Sequence, residues 1–153
     1  MKKNLYLTSL YYLKNTITGA NKRFDELGKR HFESDDFKVL VIVQKGERPH
    51  WCPLDNVIYI KAYKSKIQRL LSWLHLSWTL LRLPKGILYS DFQPIPLLCG
   101  LRHFHYQLIH DLRNWGEFAR GGLGGLSSFF QRWQLRSAFK VGTVSYFSKE
   151  NIV

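Results

Sequence analysis

The sequence predicts an α/β domain built on a mostly parallel sheet of about six strands. Three observations carry this. Strand-like apolar runs alternate with helix-like segments along the whole chain. One run, FKVLVIVQK at 37–45, is nearly continuous Val, Ile and Leu, the pattern of a strand covered on both faces. Hydrophobic residues make up 45% of the 153 positions, which suits one domain with a real core and excludes a disordered chain.

The elements follow in order. NLYLTSLYY (4–12) reads as the first strand. NTITGANKRFDELGKRHFE (15–33) opens as a Gly-containing loop and becomes a helix with Phe24, Leu27 and His31/Phe32 on one side. The second strand is 37–45, and ERPHWCPLDN (47–56) is a Pro-broken loop. VIYIKAY (57–63) is the third strand. KSKIQRLLSWLHLSWTLLRLP (64–84) is a long helix stopped by Pro84. GILYSD (86–91) is the fourth strand, QPIPLLCGLRH (93–103) a turn and short helix, and FHYQLIHD (104–111) the fifth strand. RGGLGGLSSFFQRWQLRSA (120–138) is a Gly-rich loop running into a helix, and FKVGTVSYF (139–147) is the sixth strand. SKENIV begins a further helix capped by Ser148. A mean helix runs about 11–12 residues, so this one is expected to continue, as in a piece of a longer protein. No repeat or linker composition divides the chain, and one domain over 1–153 is expected.

Charge narrows the partners. Lys and Arg number 23 against 11 Asp and Glu, a formal charge of +12. Such a surplus attracts polyanions: nucleic acid, an anionic membrane surface or phosphorylated small molecules. Cys52 and Cys99 have no metal-ligand spacing and form no disulfide framework, which suits a reducing compartment. The start, MKKNLYLTSL, has two lysines before apolar residues but no small-residue cleavage site, and its alternation suits a strand. The longest apolar stretch, 70–81, is too short to span a bilayer, which takes about 20 residues.

Open α/β sheets bind ligands beyond the carboxyl ends of their strands. The predicted ends carry Ser90 and Asp91 after the fourth strand and His110 and Asp111 after the fifth, with Arg113 close behind. The sixth carries Thr143 and Ser145. Any strand exit turns polar, which accounts for Ser90 or Thr143 but less well for His-Asp-x-Arg. Gly19, Ala20, Asn21 and Lys22 open a helix, where backbone N–H groups and the helix dipole favour a phosphate. A tight strand-to-helix turn accounts for one glycine equally well. RGGLGG (120–125) suits either a phosphate cradle or a flexible turn. No GxSxG marks a nucleophile elbow. His103 and His105 share a strand face, but no Cys or carboxylate completes a metal set, and no metal site is predicted. No nucleic-acid motif is present, and the aromatics mostly fall at core spacing.

The helix at 64–84 carries two apolar stripes. Ile67, Leu70, Leu71, Leu74, Trp78 and Leu81 are expected to face the sheet. Trp73, Leu76, Leu80 and Leu83 then form an outer stripe, with Arg69 beside them and Lys64 and Lys66 elsewhere around the helix. Six Lys or Arg and no acid lie between Asn56 and Ser90. The expected role of Lys64, Lys66, Arg69, Trp73, Leu76 and Leu80 is contact with an anionic membrane surface. A partner domain or neighbouring helix is the competing occupant.

The order of these motifs resembles the N-terminal half of a glycosyltransferase of the two-domain GT-B fold, glycosyltransferase family 4. The resemblance is carried by TGANKRFDELGKR after the first strand, IHDLR at the end of the fifth, and SAFKVGTVSYFSKEN at the sixth. It covers essentially the whole chain. It implies a Rossmann-like three-layer sandwich that binds acceptor, facing a second domain that holds most of a nucleotide-sugar and lies outside this sequence. The implied reaction is retaining transfer from a nucleotide-sugar to a lipid-linked or saccharide acceptor of lipopolysaccharide, O-antigen or capsule type. No cofactor or obligatory metal is implied. His110 would lie near the transferred sugar, with Asp111 orienting the site or assisting proton transfer. Gly19 and its neighbours would approach the donor diphosphate. Many such enzymes work in the cytoplasm, peripheral to the inner face of the membrane. The alternative from another class is a non-catalytic basic α/β module that binds nucleic acid or another polyanion. A stand-alone α/β enzyme using His110 and Asp111 is the third reading.

Overall fold

The computed structural model describes residues 2–61, 66–91, 96, 98–109, 133, 135–136 and 138–143. Six strands form one sheet: β1 (Lys3–Thr8), β2 (Phe37–Gln44), β3 (Val57–Ile60), β4 (Ile87–Asp91), β5 (Phe104–Ile109) and β6 (Lys140–Thr143). Every neighbouring pair is parallel, and the order is β3-β2-β1-β4-β5-β6. This is the doubly wound, Rossmann-like arrangement, with its reversal of winding between β1 and β4.

Helix α1 (Gly19–Glu33) begins where the Thr18 side chain caps the Asn21 N–H at 3.1 Å. Arg30 and His31 in its last turn suit the negative end of the helix dipole. Its apolar side is the expected one. Phe24 is buried, and Leu27 and Phe32 pack with it on Leu5, Leu7, Val39, Val41 and Val43. Helix α1 thus covers the odd-numbered side chains of β1 and β2. No α-helix joins β2 to β3; a single 3-10 turn, Leu54–Asn56, lies between them. The 45–56 loop does that work, with Trp51 half-buried and Cys52 fully buried in the same cluster.

Helix α2 (Lys66–Arg82) crosses from β3 to β4 over the opposite face. Its two stripes are oriented the other way round from the expectation. Leu76 and Leu80 are 1% and 0% exposed, and they join Tyr6, Ile42, Ile60, Leu88 and Cys99 in the core. Trp73 is half-buried, and Leu83 packs against this cluster. Ile67, Leu71 and Trp78 are 75%, 59% and 56% exposed, and Leu70 and Leu74 are exposed with them. Periodicity cannot choose between two stripes of similar hydrophobicity; the residues beside each stripe do. Ser72 and Ser77 flank Leu76 and Leu80 and are small enough to let the helix approach the sheet. Both are buried with their hydroxyls satisfied, Ser72 donating to the Lys61 carbonyl at 2.8 Å and Ser77 to the Trp73 carbonyl at 2.9 Å. Lys66 opens α2 and Arg69 lies in its first turn, while Lys64 falls outside the described residues.

Several ends differ from the expectation. β1 stops at Thr8, and beyond it Ser9, Leu10 and Tyr12 are buried while Tyr11 is exposed. β3 stops at Ile60. The turn before β5 is a 3-10 segment, Cys99–Leu101, packed near α2. The Gly-rich run 120–125 and most of the helix expected at 120–138 lie outside the described residues. Among the described residues no helix is long and apolar enough to cross a membrane.

Candidate functional site at the strand switch

Sheets wound this way bind ligands beyond the carboxyl ends of the strands that flank the reversal, here β1 and β4. The register sets Thr8 beside Ser90 and Asp91 beside Leu108. Helix α1 follows β1 after a ten-residue loop, 9–18. Its first turn holds the four predicted phosphate-binding residues Gly19, Ala20, Asn21 and Lys22.

Within that turn the four residues do different things. Gly19 is exposed, and a Cβ there would meet open space. The glycine is therefore not demanded by packing, and the helix start is accessible. Lys22 is exposed, and no acid stands in the turn, so the amino end of α1 carries its helix-dipole charge and a cation together. Asn21 is turned inward. Its Nδ2 donates to the Leu13 carbonyl at 2.8 Å and the Thr16 carbonyl at 2.7 Å, which uses both amide hydrogens to hold the β1–α1 loop.

Arg23, one residue on, is half-buried and faces β4. Burial pushes the Tyr89 hydroxyl up to about 12, the Asp91 carboxylate pushes the same way, and the Arg23 guanidinium opposes them. The Arg23 and Asp91 charges therefore both act on the neutral Tyr89 hydroxyl, from α1 and β4 respectively. Asp91 is buried at the end of β4. Tyr89 and Asp91 share a strand face by alternation. Tyr89 escaped the sequence reading, although it stands two residues before Asp91.

Ser90 points to the other face and is buried under the α2 side. The His105 Nε2 lies 3.2 Å from the Ser90 Oγ and 3.2 Å from the Gln107 Oε1. Burial pushes His105 down to about 4, the Gln107 bond partly offsetting it, so the ring is neutral near pH 7. Its neighbour His103 is also lowered, chiefly by burial, with Nε2 at 2.7 Å from the Leu80 carbonyl and its ring edge-on to Tyr6. This polar layer ties β4 and β5 together and lies away from solvent.

Behind α1 a second group is held. The Asp25 carboxylate accepts from the Tyr12 hydroxyl at 3.0 Å and from the Trp51 Nε1 at 2.9 Å. These bonds pin the loop after β1 and the loop after β2 to α1. Burial pushes the Cys52 thiol up to about 11 and the Cys99 thiol up to about 12, so both stay protonated at neutral pH and neither is a nucleophile. Among the described residues no three His, Cys, Asp or Glu side chains gather as a metal site would require.

His110, Asp111, Arg113 and Ser145 lie outside the described residues, and of the predicted residues that are described, Ser90 lies on the α2 face of the sheet, apart from Asp91 and the first turn of α1. No protein-family model and no curated protein matches the chain.

Proposed function

We propose that the chain is the acceptor-binding half of a retaining glycosyltransferase. It transfers a sugar from a nucleotide-sugar to a lipid-linked or saccharide acceptor, with a second α/β domain forming the opposite wall of the cleft. The observation that carries the reading is the strand switch itself. The start of α1 is accessible and acid-free, Lys22 and Arg23 supply positive charge there, and Arg23 acts on Tyr89 near the end of β4. A diphosphate entering there meets a helix amino end and two cations, which stabilises charge on the leaving group without a metal ion. The motif resemblance adds His110 as the residue beside the transferred sugar and Asp111 as its support.

Transfer assays with this chain and its facing donor domain, scanning UDP- and GDP-sugars against lipid-linked acceptors, test the reading. His110→Ala is expected to cut turnover by about 10²-fold or more with an unchanged circular dichroism spectrum. Turnover at the wild-type level in that variant removes the role of His110. No transfer from any donor removes the enzyme reading.

The net charge of +12 favours a second reading, a basic α/β module that binds a polyanion without catalysis. Its mark is oligonucleotide binding with a steep salt slope.

A further inference from the structure

The two faces of the sheet are closed unequally. On the α2 side of β4 and β5, Leu88, Ser90, His105 and Gln107 are fully buried. On the α1 side, the alternating residues Ile87, Tyr89, Tyr106 and Leu108 of the same strands are only half-buried. Helix α1 packs on β1 and β2 there. Beside it, toward β5, lies a cavity of about 230 Å³.

The cavity wall is mostly carbon. Leu7, Leu27 and Ile87 are among its aliphatic residues, and the rings of His31, Phe37, Tyr89 and Tyr106 also line it. The rings are braced from outside. His31 stands edge-on to Phe37 with centroids 5.1 Å apart, and Tyr106 stands edge-on to Phe139 at 5.6 Å. Among the described residues no Lys, Arg, Asp or Glu lines the cavity, and neither the His31 ring nitrogens nor the Tyr106 hydroxyl has a hydrogen-bond partner. Phe37 opens β2, Ile87 opens β4, and His31 lies in the last turn of α1. The cavity therefore sits toward the amino ends of the strands, at the far end of α1 from Gly19 and Lys22.

This wall selects its occupant. A carboxylate or phosphate would lose its water and find no opposite charge. A sugar would leave most of its hydroxyls unpaired. An α-helix, about 10 Å across, is too wide to enter. A dry cavity of about 150 Å³ takes one benzene ring, so this one has room for two fused rings. The ring-lined wall favours an aromatic guest over an aliphatic one.

We infer that this cavity binds a small neutral aromatic molecule of the indole type, two fused rings carrying one hydrogen-bond donor directed at the His31 imidazole. The rings lie among Phe37, Tyr89 and Tyr106, and Leu27 closes the α1 side. The inference stands on α1, β4 and β5 and does not require the sugar-transfer reading.

Calorimetric titration at about pH 8 with indole, N-methylindole and indole-3-acetate tests it. Indole is expected to bind with a Kd on the order of 0.1 mM. N-methylindole, which has no donor, is expected to bind about three- to tenfold more weakly. Indole-3-acetate is expected to bind at least about tenfold more weakly than indole. His31→Leu keeps the wall apolar, and is expected to bring indole down to the level of N-methylindole while leaving N-methylindole unchanged. Leu27→Trp fills the cavity from α1 and is expected to abolish binding of both, with the circular dichroism spectrum kept because Leu27 is only half-buried. Should Leu27→Trp fail to fold, the His31→Leu comparison decides alone. No indole binding up to about 2 mM overturns the inference. So does undiminished indole binding by His31→Leu, or tighter binding of the acetate. Sedimentation showing a dimer that Leu27→Trp dissociates, with no indole bound by the wild type, also overturns it and gives the cavity to a partner's side chain.

Discussion

The Trp51 indole occupies the space where a side chain at position 28 of α1 would stand. A Cβ at Gly28 would collide with the Cζ2 and Cη2 atoms of the ring. The same indole donates to Asp25 one turn earlier on the helix. The loop between β2 and β3 thereby replaces the helix that a regular α/β alternation would place there, and the glycine is what lets it lie against α1.

Gly28→Ala is therefore expected to destabilise the fold by about 1–3 kcal/mol, although alanine is the better helix former. Denaturant midpoints measure this. The loss should shrink in a Trp51→Ala background, where the collision is gone. A stabilising Gly28→Ala in the wild-type background would mean that Trp51 does not pack there.

The two stripes of α2 make a clean comparison. Leu80→Ala removes a fully buried side chain from the core and is expected to cost about 2–5 kcal/mol. Leu71→Ala changes an exposed side chain and is expected to stay within about 0.5 kcal/mol. Urea unfolding of the two variants reads the difference directly, and the reverse ranking would restore the face expected from periodicity.

Stability should depend on pH through the buried imidazoles. Burial lowers His105 from 6.5 to about 4. Below 6.5 the unfolded chain takes up a proton that the folded chain refuses. Stability is therefore fully present above about pH 6.5, falls as pH drops toward 4 and levels off below it, a loss on the order of 3 kcal/mol. His103 is lowered too and acts in the same direction. Unfolding midpoints across this range are expected to show the slope, and His105→Gln is expected to flatten it. A profile that rises toward pH 4 would contradict the neutral, buried assignment.

Adjacent residues of the α1 first turn should separate structure from ligand contact. Asn21→Ala strands the Leu13 and Thr16 carbonyls and is expected to cost about 1–3 kcal/mol. Lys22→Ala alters an exposed side chain and is expected to leave stability within about 0.5 kcal/mol, while weakening any bound phosphate group. Thermal melts with and without a nucleotide diphosphate distinguish the two effects.

Much of this was readable from residue order. The alternation of apolar runs and helix patterns determined an α/β fold with parallel strands, because each burial pattern has its own period and each parallel connection needs a crossover. The Val/Ile/Leu density of 37–45 marked β2 as covered on both faces. Gly19 and the small residues after it marked the start of α1, and the Thr18 cap found there is local chemistry. Ser90 and Asp91 were recognisable as a strand end, but not that alternation would send Ser90 to the His105 layer and Asp91 to the Arg23 side.

Tertiary structure decided what depends on contacts between distant segments. It chose the buried stripe of α2, because periodicity defines two stripes and only packing of Leu76 and Leu80 on Tyr6, Ile42, Ile60 and Leu88 distinguishes them. It converted Asn21 from a ligand candidate into the clasp of its own loop, and brought Arg23 to Tyr89 and Asp91 across the switch. It set Trp51 on Gly28, 23 positions apart, where no local pattern could have joined them. Local order and period belong to the sequence; facing and neighbourhood belong to the packed sheet, where one side chain's volume settles what another can touch.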